Sequence, residues 1–385
     1  MLLALVLAVG VRLVWLALTQ IGVAFQPPGR FVGALHGPLI DPWLRWDAAY
    51  FVDLTRYGYP SDPTSGRIAF FPLYPLVARG ICDATGLDPI YGALLVSNVA
   101  DVLGWLAVAG IATARYDKRT AVRILIAFAL FPTRNFGMAA YSEGLFLLLS
   151  AGAFCLYEGR RYAWAGIACA LASAARPQGV LVGASLVGEV ALLGGLALLA
   201  ARRHRATPLW REDPVHFRAA PDSRAAGAPL PSYASHLSKA WLLLFPAGLV
   251  CHMVFLQQRF GDPLQFIRIQ AGWKRSLTFP WNAFLAGFDP FEFVVTVAAL
   301  ALVYLMVRRR APLRDLLYAA SSLLVPLSTG RLMSMPRFVG LVFPLFFAAT
   351  LATKPRSLWE RLYVATGIAL SIYFALKVGR GGKIV

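Results

Sequence analysis

Ile68-Ala69-Phe70-Phe71-Pro72-Leu73-Tyr74-Pro75-Leu76-Val77-Ala78-Arg79-Gly80 is the stretch on which the reading of the whole chain turns. It is apolar, but a helix of this length reaches only about 20 Å, short of a hydrocarbon core of about 30 Å. Pro72 and Pro75 also interrupt it. It reads as a re-entrant or interfacial piece, and that choice decides on which side every later loop lies.

The surrounding composition supplies the bilayer. Of 385 residues, 58% are apolar and 15% charged, where a soluble domain carries about a quarter charged residues. Disorder is excluded by the apolar fraction, and no collagen, heptad or 20–50-residue repeat is visible. Segments of about 20 apolar residues fall near 2–25, 90–113, 122–139, 141–157, 162–176, 179–201, 240–258, 287–307, 313–330, 338–353 and 359–377. The expectation is an all-α polytopic membrane protein, a single domain over 1–385 with about eleven transmembrane helices. The first segment, apolar from Met1 to Phe25 without a basic start, reads as an uncleaved signal anchor.

A net charge of +18 would suggest nucleic acid in a soluble chain; here it suggests cationic loops instead. Five clusters (Arg115 to Arg123, Arg160 and Arg161, Arg202 to Arg205, Arg308 to Arg314, Lys354 to Arg361) fall on one side when 68–80 does not cross. By the positive-inside tendency that side is cytoplasmic. Loop 26–89 is then noncytoplasmic, with interfacial helices, and the Pro-rich stretch 202–239 is a flexible cytoplasmic loop. Lys377, Arg380 and Lys383 disagree, which puts the last crossing in question.

Within the noncytoplasmic loop, Pro42 to Pro60 carries Trp43, Trp46, Tyr50, Leu54 and Tyr57 on one helical stripe, with Arg45 and Arg56 opposite. Asp47 falls inside the stripe, about 20° from Leu54 and about 40° from Trp43. A desolvated carboxylate has its pKa raised toward neutrality, as a general base or a substrate-binding acid requires. Equally, Asp47 pairs with an arginine such as Arg79 or caps a turn. Asp53 is expected to pair with Arg56, three residues on.

Four more polar sites lie at the noncytoplasmic ends of apolar segments, where charge tends to mark function. They are Phe131 to Asn135 leading to Tyr141-Ser142-Glu143, Arg176-Pro177-Gln178-Gly179, Phe260 to Arg275, and Gly330 to Phe338. Ser142 can cap a helix with Glu143 in its first turn. The arginines either bind a lipid-linked phosphate bidentately or neutralise headgroups. Four dispersed cysteines and five histidines show no metal-ligand spacing, and Asp47 and Asp53 point about 120° apart on a helix. Neither a metal nor a cofactor is expected.

Arg45-Trp46-Asp47 with Tyr50, Tyr57-Gly58-Tyr59, Ala69 to Pro75, Tyr141 to Phe146, Ala175 to Gly179, Ile269 to Trp273 and Arg331 to Phe338 occur in this order. Together they resemble the GPI mannosyltransferase II (PIG-V) family of integral-membrane mannosyltransferases, with a glycosyltransferase-C type fold. The resemblance implies a polyprenyl-phosphate-mannose donor used on the noncytoplasmic face, and inverting transfer to a hydroxyl of a lipid-linked or surface glycan. It implies Asp47 as the catalytic base. Substrate-binding residues would be Trp46, Tyr50, Tyr59, Glu143, Arg176, Gln178, Gln270, Trp273, Lys274, Arg331 and Arg337, with Arg275 an alternative to Lys274. Two departures stand out: Arg-Pro-Gln-Gly where the family more often has Arg-Ser-Asn-Gly, and Gly66-Arg67 near a commonly acidic position. Acceptor recognition is therefore expected to differ from that of the GPI pathway. Prokaryotic members share the motifs, and the short loops fit a bacterial inner membrane better than the endoplasmic reticulum. The competing reading is a transporter or flippase of a lipid-linked sugar, which would need polar residues through the midplane, where only Arg12, Asp101 and Glu189 stand out.

Overall fold

A computed structural model describes residues 1–26, 36–206, 238–287 and 289–382; the expected flexible loop 202–239 falls almost wholly outside them. Among the described residues the fold is all helical. The helices are α1 Leu2–Ala24, α2 Asp47–Tyr57, α3 Leu73–Thr85, α4 Pro89–Arg115, α5 Lys118–Ala129, α6 Glu143–Glu158, α7 Tyr162–Ala175 and α8 Gly179–Ala206. There follow α9 Ala247–Phe260, α10 Pro290–Arg308, α11 Leu313–Leu327, α12 Phe343–Ala352 and α13 Leu358–Gly379, with shorter helical turns between them.

Their ends follow from local chemistry. Asp88 and Asp289 accept the N–H of Ile90 and of Phe291 at 2.9 and 2.8 Å, each before a proline at the first helical position. Asp117 accepts the N–H groups of Arg119 and Thr120 to start α5. Gly261, at φ +74°, closes α9 in the left-handed region.

Six helices among the described residues are long and apolar enough to cross a membrane: Leu2–Ala24, Pro89–Arg115, Gly179–Leu196, Ser238–Phe260, Pro290–Arg308 and Leu358–Gly379. The pair Pro132–Met138 and Glu143–Glu158 makes a seventh if it is one span, bent by 103°. The remaining expected crossings are shorter helices, of 12 residues in α5, 14 in α7, 15 in α11 and 10 in α12. Apolar composition alone ran across Pro132 and Pro344, which begin new elements. The last crossing, doubtful on charge, stands on length and apolarity, and its C-terminal end meets Arg45, whose Nη1 donates to the Val378 carbonyl at 2.8 Å.

Stretch 68–80 is a turn, Gly66–Ala69, followed by the 13-residue α3. Pro75 does not break it, because it sits in the first helical turn, where no intrahelical N–H bond is due. Tyr74 docks α3 on α4, donating to the Ala93 carbonyl at 2.7 Å and lying 2.7 Å from Ser97 Oγ.

The expected continuous helix over 42–60 is corrected. Asp41–Leu44 is a separate turn, and Trp46, at φ +56° and ψ −120°, breaks the chain before α2 begins at Asp47. The buried face of α2 is Ala48, Phe51, Val52, Leu54 and Thr55, whereas Tyr57 is exposed. The proposed stripe fails because it counted residues before the break in the helical register.

α6 runs the height of the core beside α4, close enough that a Cβ on Gly144 would overlap the Ser97 carbonyl. Glu143 and Glu158, its first and last residues, are about 22 Å apart. At the Glu158 end, Arg115 pairs with Glu158 and Asp315, and Arg314 with Glu189 at 2.6 Å and Glu158 at 3.1 Å. Near the Glu143 end, buried Asp101 pairs with both Arg12 of α1 and Arg134 of the 132–138 turn. Breaking a buried pair leaves an uncompensated charge at about 3–5 kcal/mol. Asp101→Ala should lower the unfolding free energy in detergent by about that amount; an unchanged midpoint in a detergent unfolding titration would show that the pairing does not hold the bent 132–158 unit.

Candidate active site

At the Glu143 end of α6 lies a cavity of about 770 Å³. Asp47, Tyr50 and Asp53 project into it from α2. Arg176 and Gln178 come from the α7–α8 turn, Trp273 and Arg275 from the segment after α9, and Ser334, Arg337 and Phe338 from the segment after α11. Charges far apart in sequence therefore share one wall.

Their arrangement is built on Glu143, which is 2% exposed. It pairs with Arg176 at 2.7 Å and with Arg337 Nε. Arg337 in turn reaches Asp47 Oδ2 with Nη1 at 2.6 Å. Its guanidinium lies 4.5 Å from the Tyr141 ring centroid and 5.1 Å from that of Phe136, and these two rings stack at 5.5 Å. Burial opposes the Arg337 charge, but Glu143 and Asp47 more than offset it and hold the group above its ordinary range. Arg275 is depressed by burial and by neighbouring Arg337, yet an arginine remains charged. Its Nη2 donates to the Met333 carbonyl at 3.2 Å, while its buried Nε has no hydrogen-bond partner among the described residues.

Backbone conformation delivers these groups. Trp46, Lys274 and Ser334 all have positive φ, of 56°, 56° and 69°. They stand one residue before Asp47, one before Arg275 and three before Arg337. Non-glycine residues in sparsely populated conformations cost about 1–3 kcal/mol each and cluster at functional sites. The Trp46 turn is braced by Tyr141, whose hydroxyl donates to the Arg45 carbonyl at 2.9 Å; the Ser334 N–H donates to Glu292 Oε1 at 3.0 Å.

Of the residues expected from sequence, Trp46, Asp47, Tyr50, Arg176, Gln178, Gln270, Trp273 and Arg337 line the cavity. Glu143 lies behind the wall as a counter-ion to two arginines, with no cap from Ser142 to the helix. Lys274 and Arg331 do not line it; Arg331 Nε donates to the Lys274 carbonyl at 3.1 Å, and Arg275 occupies the place considered for Lys274. Tyr59 is also absent from the walls, its hydroxyl donating to the Phe70 carbonyl at 2.5 Å and its phenol pushed up by burial. The pairings expected for Asp53 with Arg56 and for Asp47 with Arg79 are replaced. Asp53 pairs with Arg67 and Arg56 with Asp88, both at 2.7 Å, and Arg79 is 3.9 Å from Asp83. Reasoning from sequence missed the Phe136–Tyr141 platform, Arg67, Ser334 and Phe338 as wall residues. All of them fell in or beside stretches quoted from the sequence, but none was given a place in the wall there. Among the described residues, no group of three or more His, Cys, Asp or Glu could hold a metal ion.

The fold and site together define a polytopic helical membrane protein with a charged cavity at one end of its helices. The sequence profile described as Mannosyltransferase (PIG-V) matches residues 17–193. Over that region, a little under half of the chain, the sequence is similar to the PIG-V mannosyltransferase family. It is similar to GPI alpha-1,6-mannosyltransferase 2 of Rattus norvegicus, 29% identical over 175 residues, and to that of Mus musculus, 31% identical over 176. Each alignment covers 41% of this chain and 34% of the relative, so the chain matches about a third of the length of these curated relatives. No solved structure matches. The matched region holds Asp47, Glu143 and Arg176, while Trp273, Arg275 and Arg337 lie beyond it.

Removing Glu143 would leave Arg176 and Arg337 as unpaired like charges in one buried wall. Glu143→Ala is expected to lose about 3–5 kcal/mol of stability in detergent unfolding, and Arg176→Met on that background should restore part of it by removing the repulsion. Destabilisation that simply adds in the double variant would contradict the counter-ion role.

Proposed function

We propose that this protein is a membrane mannosyltransferase that moves mannose from a polyprenyl-phosphate-mannose donor to a hydroxyl of a lipid-linked or surface glycan, with inversion. The observation that carries this reading is the meeting of Asp47 with Arg176, Arg275 and Arg337 in one cavity. The acceptor oxygen attacks the anomeric carbon and its proton passes to Asp47; the bond from that carbon to the phosphate oxygen breaks, its electron pair leaving with the lipid monophosphate. Asp47 is oriented through Oδ2 by Arg337, so Oδ1 is the oxygen assigned to the hydroxyl. Charge growing on the phosphate is met by preorganised guanidiniums, whose orientation costs nothing at the moment of reaction. Arg275 and Arg176, which both line the cavity, are the first of these.

Sidedness is supported by the charge distribution along α6. The cation clusters around Arg115 and Arg314 gather at its Glu158 end, and cytoplasmic loops carry the Lys and Arg excess. The cavity, about 22 Å away along the helix, then opens on the noncytoplasmic face. The charges within crossings that a transporter would use are already paired, Arg12 with Asp101, which also holds Arg134, and Glu189 with Arg314, which favours an enzyme site at one surface.

Asp47→Asn keeps the shape of the side chain and removes the base. Transfer of labelled mannose from polyprenyl-phosphate-mannose to membrane lipid extract should fall by about 10²–10⁴-fold. Arg337→Lys, which cannot hold Glu143 and Asp47 at once with a planar fork, should fall at least about tenfold in kcat. Wild-type rates from folded Asp47→Asn would remove the general-base role.

A further inference from the structure

A second, outer cavity of about 380 Å³ adjoins the first, and Tyr50 and Trp273 line both. Its other walls include Thr64 and Gly66 from one segment and Arg268 and Gly272 from another. The two shared rings meet edge to face, at 6.4 Å between centroids and 84° between planes. Tyr50 is one helical turn beyond Asp47 on α2, about 5–6 Å between Cβ atoms. A molecule seated in the outer cavity therefore lies one turn of helix from the proposed base.

The chemistry of the two cavities differs. The inner one gathers Arg176, Arg275 and Arg337. In the outer one the cation is Arg268, exposed and already bound to Asp262 at 2.7 Å, and the Thr64 hydroxyl donates to Asp62 at 2.7 Å. Ring faces, peptide groups at two glycines and satisfied polar side chains suit a neutral, hydroxyl-rich ring with apolar C–H faces, and do not suit a second phosphate. We infer that the outer cavity is the acceptor subsite, holding the sugar ring of the acceptor against Tyr50 and Trp273, the two residues it shares with the cavity of Asp47, while the donor phosphate occupies the arginine wall. This rests on the transferase reading above and adds to it a place and a chemical class for the acceptor.

Gly272 permits a direct test. A Cβ there meets nothing within 4 Å, so a side chain added at Gly272 starts in open space, and Gly272→Trp is the variant chosen to fill the outer cavity. Labelled polyprenyl-phosphate-mannose and membrane lipid extract are the probes, and the readout is the ratio of mannose transferred to lipid over mannose released to water, which does not depend on how much protein is folded. The subsite predicts a ratio at least tenfold below wild type in Gly272→Trp and in Thr64→Trp, which plugs the cavity from the other segment, with Gly272→Ala close to wild type. A ratio unchanged in both plugs, or loss of both reactions in both plugs, overturns the assignment, the second by placing the cavity on the donor's path. Wild-type protein that releases mannose by neither route contradicts the transferase reading itself.

Discussion

A carboxylate buried at the start of a helix must find positive charge or bear a large desolvation cost, and Glu143 finds it twice. Its partners, Arg176 and Arg337, come from segments more than 30 and more than 190 residues further along the chain. For Glu143 to be satisfied, the α7–α8 turn and the segment after α11 must both close over the first turn of α6. That closure forms the wall of the cavity. Arg337 then extends the constraint to Asp47, so the candidate base takes its position from a counter-ion it does not touch.

Polar interactions are otherwise kept to places where they can be completed. At the far end of α6, Arg115 and Arg314 share Glu158 and so tie α4, α6 and the start of α11 together. In the core, Asp101 pairs with two arginines, and glycines at 137 and 144 leave room for it and for the Ser97 backbone. Buried pairs of this kind add little net stability but are costly to break, so they specify one arrangement of helices whose lipid-facing surfaces are indifferent to one another. Three of the six non-glycine residues with positive φ among the described residues, Trp46, Lys274 and Ser334, stand just before charges of the cavity, where strained backbone aims them inward.

Much of this was legible in the chain. The bilayer class follows from composition, the short 68–80 piece from its length, and eight of the twelve proposed site residues line one cavity. What escaped has physical causes. Counting apolar residues cannot see that Pro132 starts one element and Phe343-Pro344 another, so the segments near 122–139 and 338–353 were drawn across those starts. Helical periodicity was carried through Trp46, although nothing local announces a positive φ at a tryptophan. Lys274 and Arg275 are indistinguishable by type, and the left-handed turn at Lys274 decides which faces inward. Glu143 was recognised as unusual, but its role depends on partners that only the tertiary fold supplies.

The central claim is that the arginine wall accepts a single phosphate carried on lipid. Purified protein in liposomes should be offered labelled mannose on polyprenyl monophosphate, and in parallel on a nucleoside diphosphate, with lipid extract as acceptor. The arrangement of Arg176, Arg275 and Arg337 around Asp47 predicts label in the lipid fraction from the polyprenyl donor alone. Transfer from the nucleoside diphosphate donor, with none from the polyprenyl donor, would contradict it.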